Sequence, residues 1–257
     1  MGVINLTPDS FSDGGRYLDP AAALAHARKL IAEGADILDI GGESTRPGAQ
    51  PVSEDEELAR VRPLVEALRD ASIPISVDTR RPRVMREALL SGASMINDVE
   101  ALESPGALES VASSDCAICL MHKKGDPATM QRDPRYGDVV ADVKAYLAER
   151  IAAAENAGID RSRIAIDPGF GFGKTPAHNL ELLRRLDELG SLGVPVVAGW
   201  SRKSTLGVIT GKPVGERLAA SIAAALLSVQ HGANILRVHD VTETRDALAV
   251  WQALRKA

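Results

Sequence analysis

Strand-like and helix-like segments alternate along the whole chain, and no other feature of the sequence limits the fold as strongly. Short runs rich in Val, Ile and Leu, typical of buried strands, are separated by longer segments with helical periodicity. Strands are predicted at 2–5, 37–40, 75–77, 95–97, 117–121, 164–167, 194–198 and 235–238. Helices are predicted near 20–33, 54–70, 82–91, 105–113, 138–157, 176–189, 215–231 and 243–255. This alternation indicates an α/β fold, either a parallel (β/α)8 barrel or an open, doubly wound sheet.

The ends of the predicted helices carry residues that start and stop helices. An N-cap residue stands directly before Pro at Asp19-Pro20, Ser104-Pro105 and Thr175-Pro176. Ser53 with Glu56 fits a capping box. The segments 33–38, 91–96 and 231–236 share a pattern in which Gly ends a helix and the chain turns directly into a strand. This internal repeat is typical of βα units.

Length and composition favour one closed barrel. The chain has 257 residues with no linker-like break, so we expect a single domain over 1–257 that begins directly on the first strand. The net charge of -5 and the few aromatic residues (Trp 2, Tyr 3, Phe 3) argue against a nucleic-acid partner. No run of 18 apolar residues indicates a membrane span, and the start lacks the features of a signal peptide, so we expect a cytoplasmic protein.

Polar side chains follow nearly every predicted strand, at the end where barrel enzymes carry their active sites. Asp78, Asn97 and Asp167 present carboxylate and amide groups that suit a planar heterocycle with several N–H donors. A second set presents cations that suit a phosphate or diphosphate: Arg46, Lys203, Arg237 and His239. Asn5 offers an amide oxygen to Mg²⁺, which would join the anion to the protein.

Several familiar motifs are excluded or discounted. The segment 169–175 ends in Gly-Lys-Thr, but Pro168 stands where a phosphate loop requires its first Gly. We therefore expect only a Gly-rich loop that brings the backbone close to a ligand. Cys116 and Cys119 have C-x-x-C spacing but lie in an apolar run, which favours a buried strand over a redox pair. The sequence contains no G-x-S-x-G, H-E-x-x-H or Cys/His metal cluster, so binding and charge stabilisation are favoured over covalent catalysis.

Long motifs, in order and spread over the whole chain, resemble those of the dihydropteroate synthase family. They are MGVINLTPDSFSDGG at 1–15, DIGGESTRPG at 39–48, SVDT at 76–79, INDV at 96–99, DPGFGFGK at 167–174, GWSRK at 199–203 and RVHDV at 237–241. The resemblance implies a barrel enzyme of folate biosynthesis, active as a homodimer and inhibited by sulfonamides. It would condense (7,8-dihydropterin-6-yl)methyl diphosphate with 4-aminobenzoate, using Mg²⁺ and no covalent enzyme intermediate. Members of the family usually carry a segment before the first strand, so we expect either a longer start or a different cap here.

The resemblance also implies a role for each matching residue. Asp167, Lys203 and Arg46 would be catalytic. The pterin would contact Asp78, Asn97, Met121, Asp167 and Lys203, and the diphosphate would contact Asn5, Arg46, Arg237 and His239, with Asn5 at the metal. The aminobenzoate pocket would comprise Thr45, Pro47, Phe172, Lys203 and Ser204. The loops 7–17 and 42–52 are expected to be mobile and to close over the substrates.

Alternatives stay open at this stage. The chain also fits a non-catalytic pterin-binding paralogue, or a methyltetrahydrofolate-dependent methyltransferase with a related barrel, although the latter's donor has no diphosphate for Arg237 and His239. Asp39 and Asp98 have a structural interpretation as strong as a functional one. Arg80 and Arg202 are better interpreted as ion-pairing residues than as ligands, and Met121 fits either the core or the pterin ring.

Overall fold

A computed structural model describes residues 1–7, 19–44, 51–125 and 129–256. Its strands are β1 (Gly2–Asn5), β2 (Leu38–Gly41), β3 (Ile75–Asp78), β4 (Met95–Asp98), β5 (Ala117–Met121), β6 (Ile164–Asp167), β7 (Val197–Ala198) and β8 (Ile235–Leu236). The helices are α1 (Pro20–Ala32), α2 (Glu54–Ala67), α3 (Pro82–Ser91), α4 (Ala107–Ala112), α5 (Val139–Asn156), α6 (Pro176–Arg184), α7 (Ser204–Thr210), α8 (Leu218–Gln230) and α9 (Val241–Lys256). The predicted alternation is confirmed throughout this part of the chain.

The strands form a parallel (β/α)8 barrel. Strands β1 to β6 pair in sequence order, and β7 pairs with β8. Isolated parallel bridges join the two sheets at both seams, Ile166 with Val196 and Gly2 with Val238. At the second seam, the Val3 amide donates to the Val238 carbonyl at 3.0 Å, and the Val238 amide donates to the Met1 carbonyl at 2.9 Å. A closed ring brings every C-terminal strand end to one mouth.

Helix capping confirms most of the predicted boundaries. The Asp19 carboxylate accepts from the amides of Ala21 and Ala22. Thr175 forms a reciprocal capping box in which the side chain of His178 takes the part usually played by Glu. In the described chain Gly34, Gly92 and Gly232 all have positive φ, as the repeat predicted, and each leads from a helix toward the next strand.

Two predicted helix-start signals and two predicted strands differ from the structure. The Ser104 hydroxyl donates to Glu100 at 2.9 Å, and α4 begins three residues later, after the left-handed Gly106. Ser53 caps α2, but Glu56 pairs with Arg60, so only half of that capping box forms. The strands predicted at 194–198 and 235–238 are shorter, because only β7 and β8 keep continuous pairing there. A further helix, α7, follows β7, where the sequence indicated only a helix start at Ser204.

Side chains alternate between the two faces of each strand and build two apolar layers. Outward residues such as Ile40, Val77 and Ile118 pack against the helices in a large aliphatic core. Inward residues at the N-terminal half of the barrel form a second cluster, which we call the floor: Met1, Met95, Cys119, Ala165 and Val197. Cys116 belongs to the outer core and Cys119 to the floor, and both are free and buried, so the C-x-x-C pair is structural.

Candidate active site

The inward residues nearest the C-terminal strand ends are polar, and we call this set the mouth: Asn5, Asp39, Asp78, Asn97, Asp167 and Arg237. A cavity of about 490 Å³ opens above them. Every predicted site residue that the structure describes lines this cavity, namely Asn5, Asp78, Asn97, Met121, Asp167, Phe172, Lys203, Ser204, Arg237 and His239. Thr45, Arg46 and Pro47 lie outside the described residues, as does most of the loop predicted at 7–17, but Glu43 and Ser44 also line the cavity.

Asp39 organises one side of the mouth. The Arg237 guanidinium donates from Nε to Asp39 at 2.6 Å and from Nη2 to Asp78 at 2.9 Å. The Ser76 hydroxyl donates to the other oxygen of Asp39 at 2.7 Å, and the Asn97 amide donates to Asp39 at 3.3 Å. Asp39 is fully buried. It therefore orients Arg237 and Asn97 from beneath the cavity, which resolves its open interpretation in favour of a positioning role.

Asp78 at the end of β3 and Asp167 at the end of β6 are the two carboxylates of the mouth that line the cavity; Asp167 is buried and Asp78 is half-buried. Burial raises the pKa of Asp78, and the neighbouring Arg237 opposes the rise. Burial also raises the pKa of Asp167, against the Gly169 amide, which donates to its Oδ1 at 2.7 Å, and against the charge of Lys203. Gly199, which carries no side chain, lies beside Oδ2 of Asp167, and both residues line the cavity.

The Gly-rich loop that follows β6 packs against the segment that follows β5. A Cβ added to Gly169 would lie 1.8 Å from the His122 carbonyl oxygen, and one added to Gly173 would lie 2.2 Å from that of Lys124. Each of these two glycines accommodates a neighbouring backbone. Gly169 and Gly171 also line the cavity, so a loop that brings its backbone close to a ligand stays a prediction.

Lys174 is a functional candidate that sequence reasoning missed, because the Gly-Lys-Thr ending was weighed only as a phosphate loop. Its side chain is 2% exposed, and its ammonium group donates to the carbonyls of Gly169 (2.9 Å) and Phe172 (3.1 Å). Nδ1 of His122 lies 2.9 Å from the same ammonium group. Burial lowers the pKa of Lys174 well below its usual value, and burial together with Lys174 lowers the pKa of His122 to about 3. The two carbonyls and Nδ1 match the three N–H donors of an ammonium group, which is the arrangement in which Nδ1 of a neutral His122 accepts.

Lys203 and Phe172 meet at the outer wall of the cavity. The Lys203 ammonium lies 4.1 Å from the centroid of the Phe172 ring, a cation–π contact. Ser204 is the first residue of α7 and lies beside Lys203. Nearby, His239 is held in place because its amide donates to the Ser201 hydroxyl at 3.2 Å, and its Nδ1 lies 2.9 Å from the same oxygen.

The turn before Lys203 is held in an unusual conformation. Arg202 has a φ of 60°, in the left-handed region that non-glycine residues seldom adopt. Its amide donates to the Ser221 hydroxyl at 3.0 Å, and its carbonyl accepts from Arg217 at 3.1 Å. Its guanidinium pairs with Asp240, which fits the predicted ion-pairing interpretation. No motif in the sequence pointed to Arg217, because its guanidinium donates to backbone carbonyls, which any residue carries.

The other residues left open have structural partners. Arg80 pairs with Glu43 at 3.1 Å and with Glu100 at 3.3 Å, as an ion-pairing residue would. Asp98 accepts from the amides of Glu100 and Leu102, both at 2.8 Å. It therefore stabilises the turn after β4, in which Leu102 has a φ of 60°.

Comparison with known proteins shows the family to which the chain belongs. The family model for the pterin binding enzymes matches residues 1–239, and the chain belongs to this family. Within the family, it is 55% identical to dihydropteroate synthase of Neisseria meningitidis serogroup B, over 99% of this chain and 92% of that protein.

Two solved structures are similar over the whole of this chain. A Yersinia pestis dihydropteroate synthase in complex with a sulfonamide drug has a TM-score of 0.98, at 46% identity, with 94% of that chain covered. A Xanthomonas albilineans dihydropteroate synthase with 4-aminobenzoic acid has a TM-score of 0.94, at 55% identity, with 93% of that chain covered.

Proposed function

We propose that this protein is a dihydropteroate synthase of folate biosynthesis. It condenses (7,8-dihydropterin-6-yl)methyl diphosphate with 4-aminobenzoate and releases 7,8-dihydropteroate and diphosphate. The observation that carries the proposal is a single cavity with buried acceptors on one wall, Asp167 and Asn97, and cations on another, Arg237 and His239. Membership of the pterin-binding family and the 4-aminobenzoic acid bound to the Xanthomonas relative support it.

The pterin would bind against the acceptors deep in the cavity. A pterin ring displays several N–H donors, which the carboxylate of Asp167 and the side chains of Asn97 and Asp78 would accept. Lys203 would donate to the ring from above, and Met121, 7% exposed in the cavity wall, would pack on its face. A buried acceptor set of this kind discriminates against ligands that lack matching donors.

The diphosphate would bind on the cationic wall. Arg237 is fixed by Asp39 and Asp78, and within the described residues no hydrogen bond uses its Nη1, which leaves that group for an anion. His239 lines the same wall, and Arg46 would join it from the loop after β2. Opposing charges held in fixed orientation stabilise the negative charge that builds on a leaving diphosphate.

The donor chemistry beside this wall fits Mg²⁺. The Asn5 side chain lines the cavity, and no hydrogen bond to its amide is present in the described part of the chain. Mg²⁺ commonly uses one or two protein oxygens and completes its shell with substrate phosphates and water. Asn5 would hold the ion, and the bound ion would supply further neutralisation of the diphosphate charge.

Aminobenzoate would bind in the outer part of the cavity. Phe172 and the aliphatic part of Lys203 would cover its ring, and Ser204 with the Lys203 ammonium would receive its carboxylate. Thr45 and Pro47 would complete this pocket. Sulfonamides share the ring and anionic group of aminobenzoate, so they would compete for the same pocket.

The residues favour a dissociative substitution. The bond between the methylene carbon and the diphosphate oxygen breaks first, and the departing oxygen keeps the electron pair. Arg46, Arg237 and His239 stabilise the diphosphate, while the Asp167 carboxylate stabilises the positive charge spread over the pterin. The amine of aminobenzoate then forms the new C–N bond and loses a proton. No enzyme nucleophile takes part.

Turnover tests the proposal directly. Purified protein mixed with the pterin diphosphate, 4-aminobenzoate and Mg²⁺ should release diphosphate and form dihydropteroate in equal amounts, with sulfonamide inhibition competitive against aminobenzoate. Pterin binding without turnover would instead identify a non-catalytic paralogue. Methyl transfer from methyltetrahydrofolate, with no diphosphate binding, would identify a methyltransferase.

We also propose one domain over 1–257, located in the cytoplasm and assembled as a homodimer through the last two helices. No helix in the described part of the chain has the length and apolar composition that a membrane span requires. Helices α8 and α9 pack together and leave apolar side chains exposed, among them Leu227 at 44% and Val250 at 72%. Sedimentation at several protein concentrations would measure the oligomeric state.

A further inference from the structure

The buried Lys174 lies directly behind both proposed substrate pockets. Lys174 directly follows Gly173, the last glycine of the loop, and its ammonium group donates to two carbonyls of that loop. It does not line the cavity, so it contacts neither substrate. A fully buried ammonium is costly unless its donors are satisfied, and here the loop carbonyls and His122 satisfy them.

Other side chains also hold the loop: Asn179 accepts from the Gly171 amide at 2.8 Å, and Tyr136 donates to the Gly173 carbonyl at 2.8 Å. Only Lys174 joins the carbonyls of Gly169 and Phe172 among the hydrogen bonds that side chains of the described residues make. Gly169, Gly171 and Gly173 all have positive φ, between 63° and 82°, so alternate residues adopt the left-handed conformation. Such a backbone has many accessible alternatives, because glycine is the least restricted residue. The ammonium group donates to the carbonyls of Gly169 and Phe172 at the same time, and this stabilises the loop conformation in which the two carbonyls face the same donor.

Two functional side chains depend on that conformation. The Gly169 amide donates to Oδ1 of Asp167 at 2.7 Å, and this bond orients the carboxylate at the pterin side of the cavity. The Phe172 ring stands under the Lys203 ammonium at the aminobenzoate side. Asp167 is linked to Lys174 through Gly169, whose amide donates to Asp167 and whose carbonyl accepts from Lys174. Phe172 is linked directly, because its own carbonyl accepts from Lys174.

We propose that Lys174 is a positioning residue for both substrates, acting through the carbonyls of Gly169 and Phe172 to set Asp167 and the Phe172–Lys203 wall. The proposal rests on the proposed function for the identity of the substrates. His122 serves as the neutral third partner, which accepts through Nδ1 and so fixes where the ammonium group stands.

Replacement and chemical rescue test this role. Lys174→Ala removes the ammonium group, and we expect kcat/KM for each substrate to fall about 10- to 100-fold, because small displacements of catalytic groups cost this much. Ammonium or methylammonium, which can donate N–H bonds to the same carbonyls, should restore at least half of the lost affinity for a pterin analogue and for aminobenzoate. Tetramethylammonium, which has no N–H donor, should restore none.

Gly169→Ala gives an independent approach to the same loop, because the added Cβ would collide with the His122 carbonyl. The loss in Gly169→Ala and the loss in Lys174→Ala should not add in the double variant, since both displace one loop. Gly158→Ala is the matched control. Gly158 also has a left-handed φ, of 88°, but its Cβ would meet nothing within 4 Å, and we expect unchanged kinetics.

Three outcomes would overturn the proposal: Lys174→Ala with kinetics within twofold of the unchanged protein, losses that add fully to those of Gly169→Ala, or equal rescue by tetramethylammonium. Binding to the unchanged protein, measured by calorimetry, separates this result from a failure of the proposed function. If the unchanged protein binds neither ligand, the substrates are wrong; if it binds both and the variants do too, the role of Lys174 is wrong.

Discussion

The floor and the mouth of the barrel share two strands, β4 and β6, on which their residues are two positions apart. Met95 on β4 is packed in the floor, and Asn97 lies in the mouth; on β6 the corresponding pair is Ala165 and Asp167. The inward face is the same, because side chains alternate with a period of two. On these two strands, an apolar residue that packs in the floor is therefore followed, two residues later, by a polar residue of the mouth. Substitutions in the floor should change stability, and those in the mouth should change catalysis.

The largest effect is expected at Asp167 in the mouth. Asp167→Asn keeps the shape and an acceptor for the Gly169 amide but loses the charge opposite the developing cation. We expect kcat/KM for the pterin substrate to fall about 100- to 1000-fold and pterin affinity to fall with it. The unfolding midpoint should stay equal or rise, because burial raises the pKa of Asp167 and the fold therefore disfavours the ionised form. Asp115→Asn, at an exposed position before β5, is the control.

Asp39 is a residue of the mouth that does not line the cavity, and we expect its substitution to change both stability and catalysis. Asp39→Asn weakens the contact with the Arg237 guanidinium, which is mostly buried. We expect a loss of about 3 kcal/mol in the free energy of unfolding, together with at least a tenfold loss of turnover, since Arg237 loses its orientation. Denaturant titration and steady-state kinetics would be compared with Glu66→Gln, which removes an exposed ion pair in α2 and should change neither. A change in only the free energy of unfolding or only the turnover would contradict the positioning role of Asp39.

Met95 tests the floor alone. Met95→Ala should lower the free energy of unfolding by about 2 kcal/mol, because it leaves a cavity among Met1, Cys119 and Ala165. We expect kcat/KM within twofold, measured well below the unfolding midpoint. Leu90→Ala removes an apolar side chain that is 75% exposed and should change neither quantity. A large loss of turnover in a folded Met95→Ala protein would show that the floor and the mouth are coupled.

The effect that is smallest at neutral pH concerns the protonation of His122. His122 has a folded-state pKa of about 3, below its ordinary 6.5, so between these values the unfolded chain binds a proton that the folded protein excludes. Stability should therefore fall as pH falls from about 6.5 toward 3. His122→Gln, which keeps an acceptor for Lys174, should reduce this slope by about 1 kcal/mol per pH unit. An unchanged slope in denaturant titrations at several pH values would count against the neutral, buried His122.

The sequence predicts most of this organisation because its signals are local. Alternating segments, Pro after an N-cap and Gly at helix ends are all short-range features, and they locate the strands and thus the strand-end residues. Contacts between distant residues carry no such signal. The pair Arg237 and Asp39, separated by 198 residues, becomes visible only when the barrel closes. Lys174 was missed because the Gly-Lys-Thr ending was weighed only as a phosphate loop, and its contact with His122, 52 residues away, becomes visible only in the fold.

The central claim is that Asp167 receives the pterin in the mouth. A crystal structure with a pterin substrate analogue and 4-aminobenzoate tests it most directly. We expect ring N–H groups within hydrogen-bond distance of the Asp167 carboxylate and the Asn97 side chain, with aminobenzoate between Phe172 and Ser204. A pterin bound elsewhere, with Asp167 making no contact to it, would contradict the account.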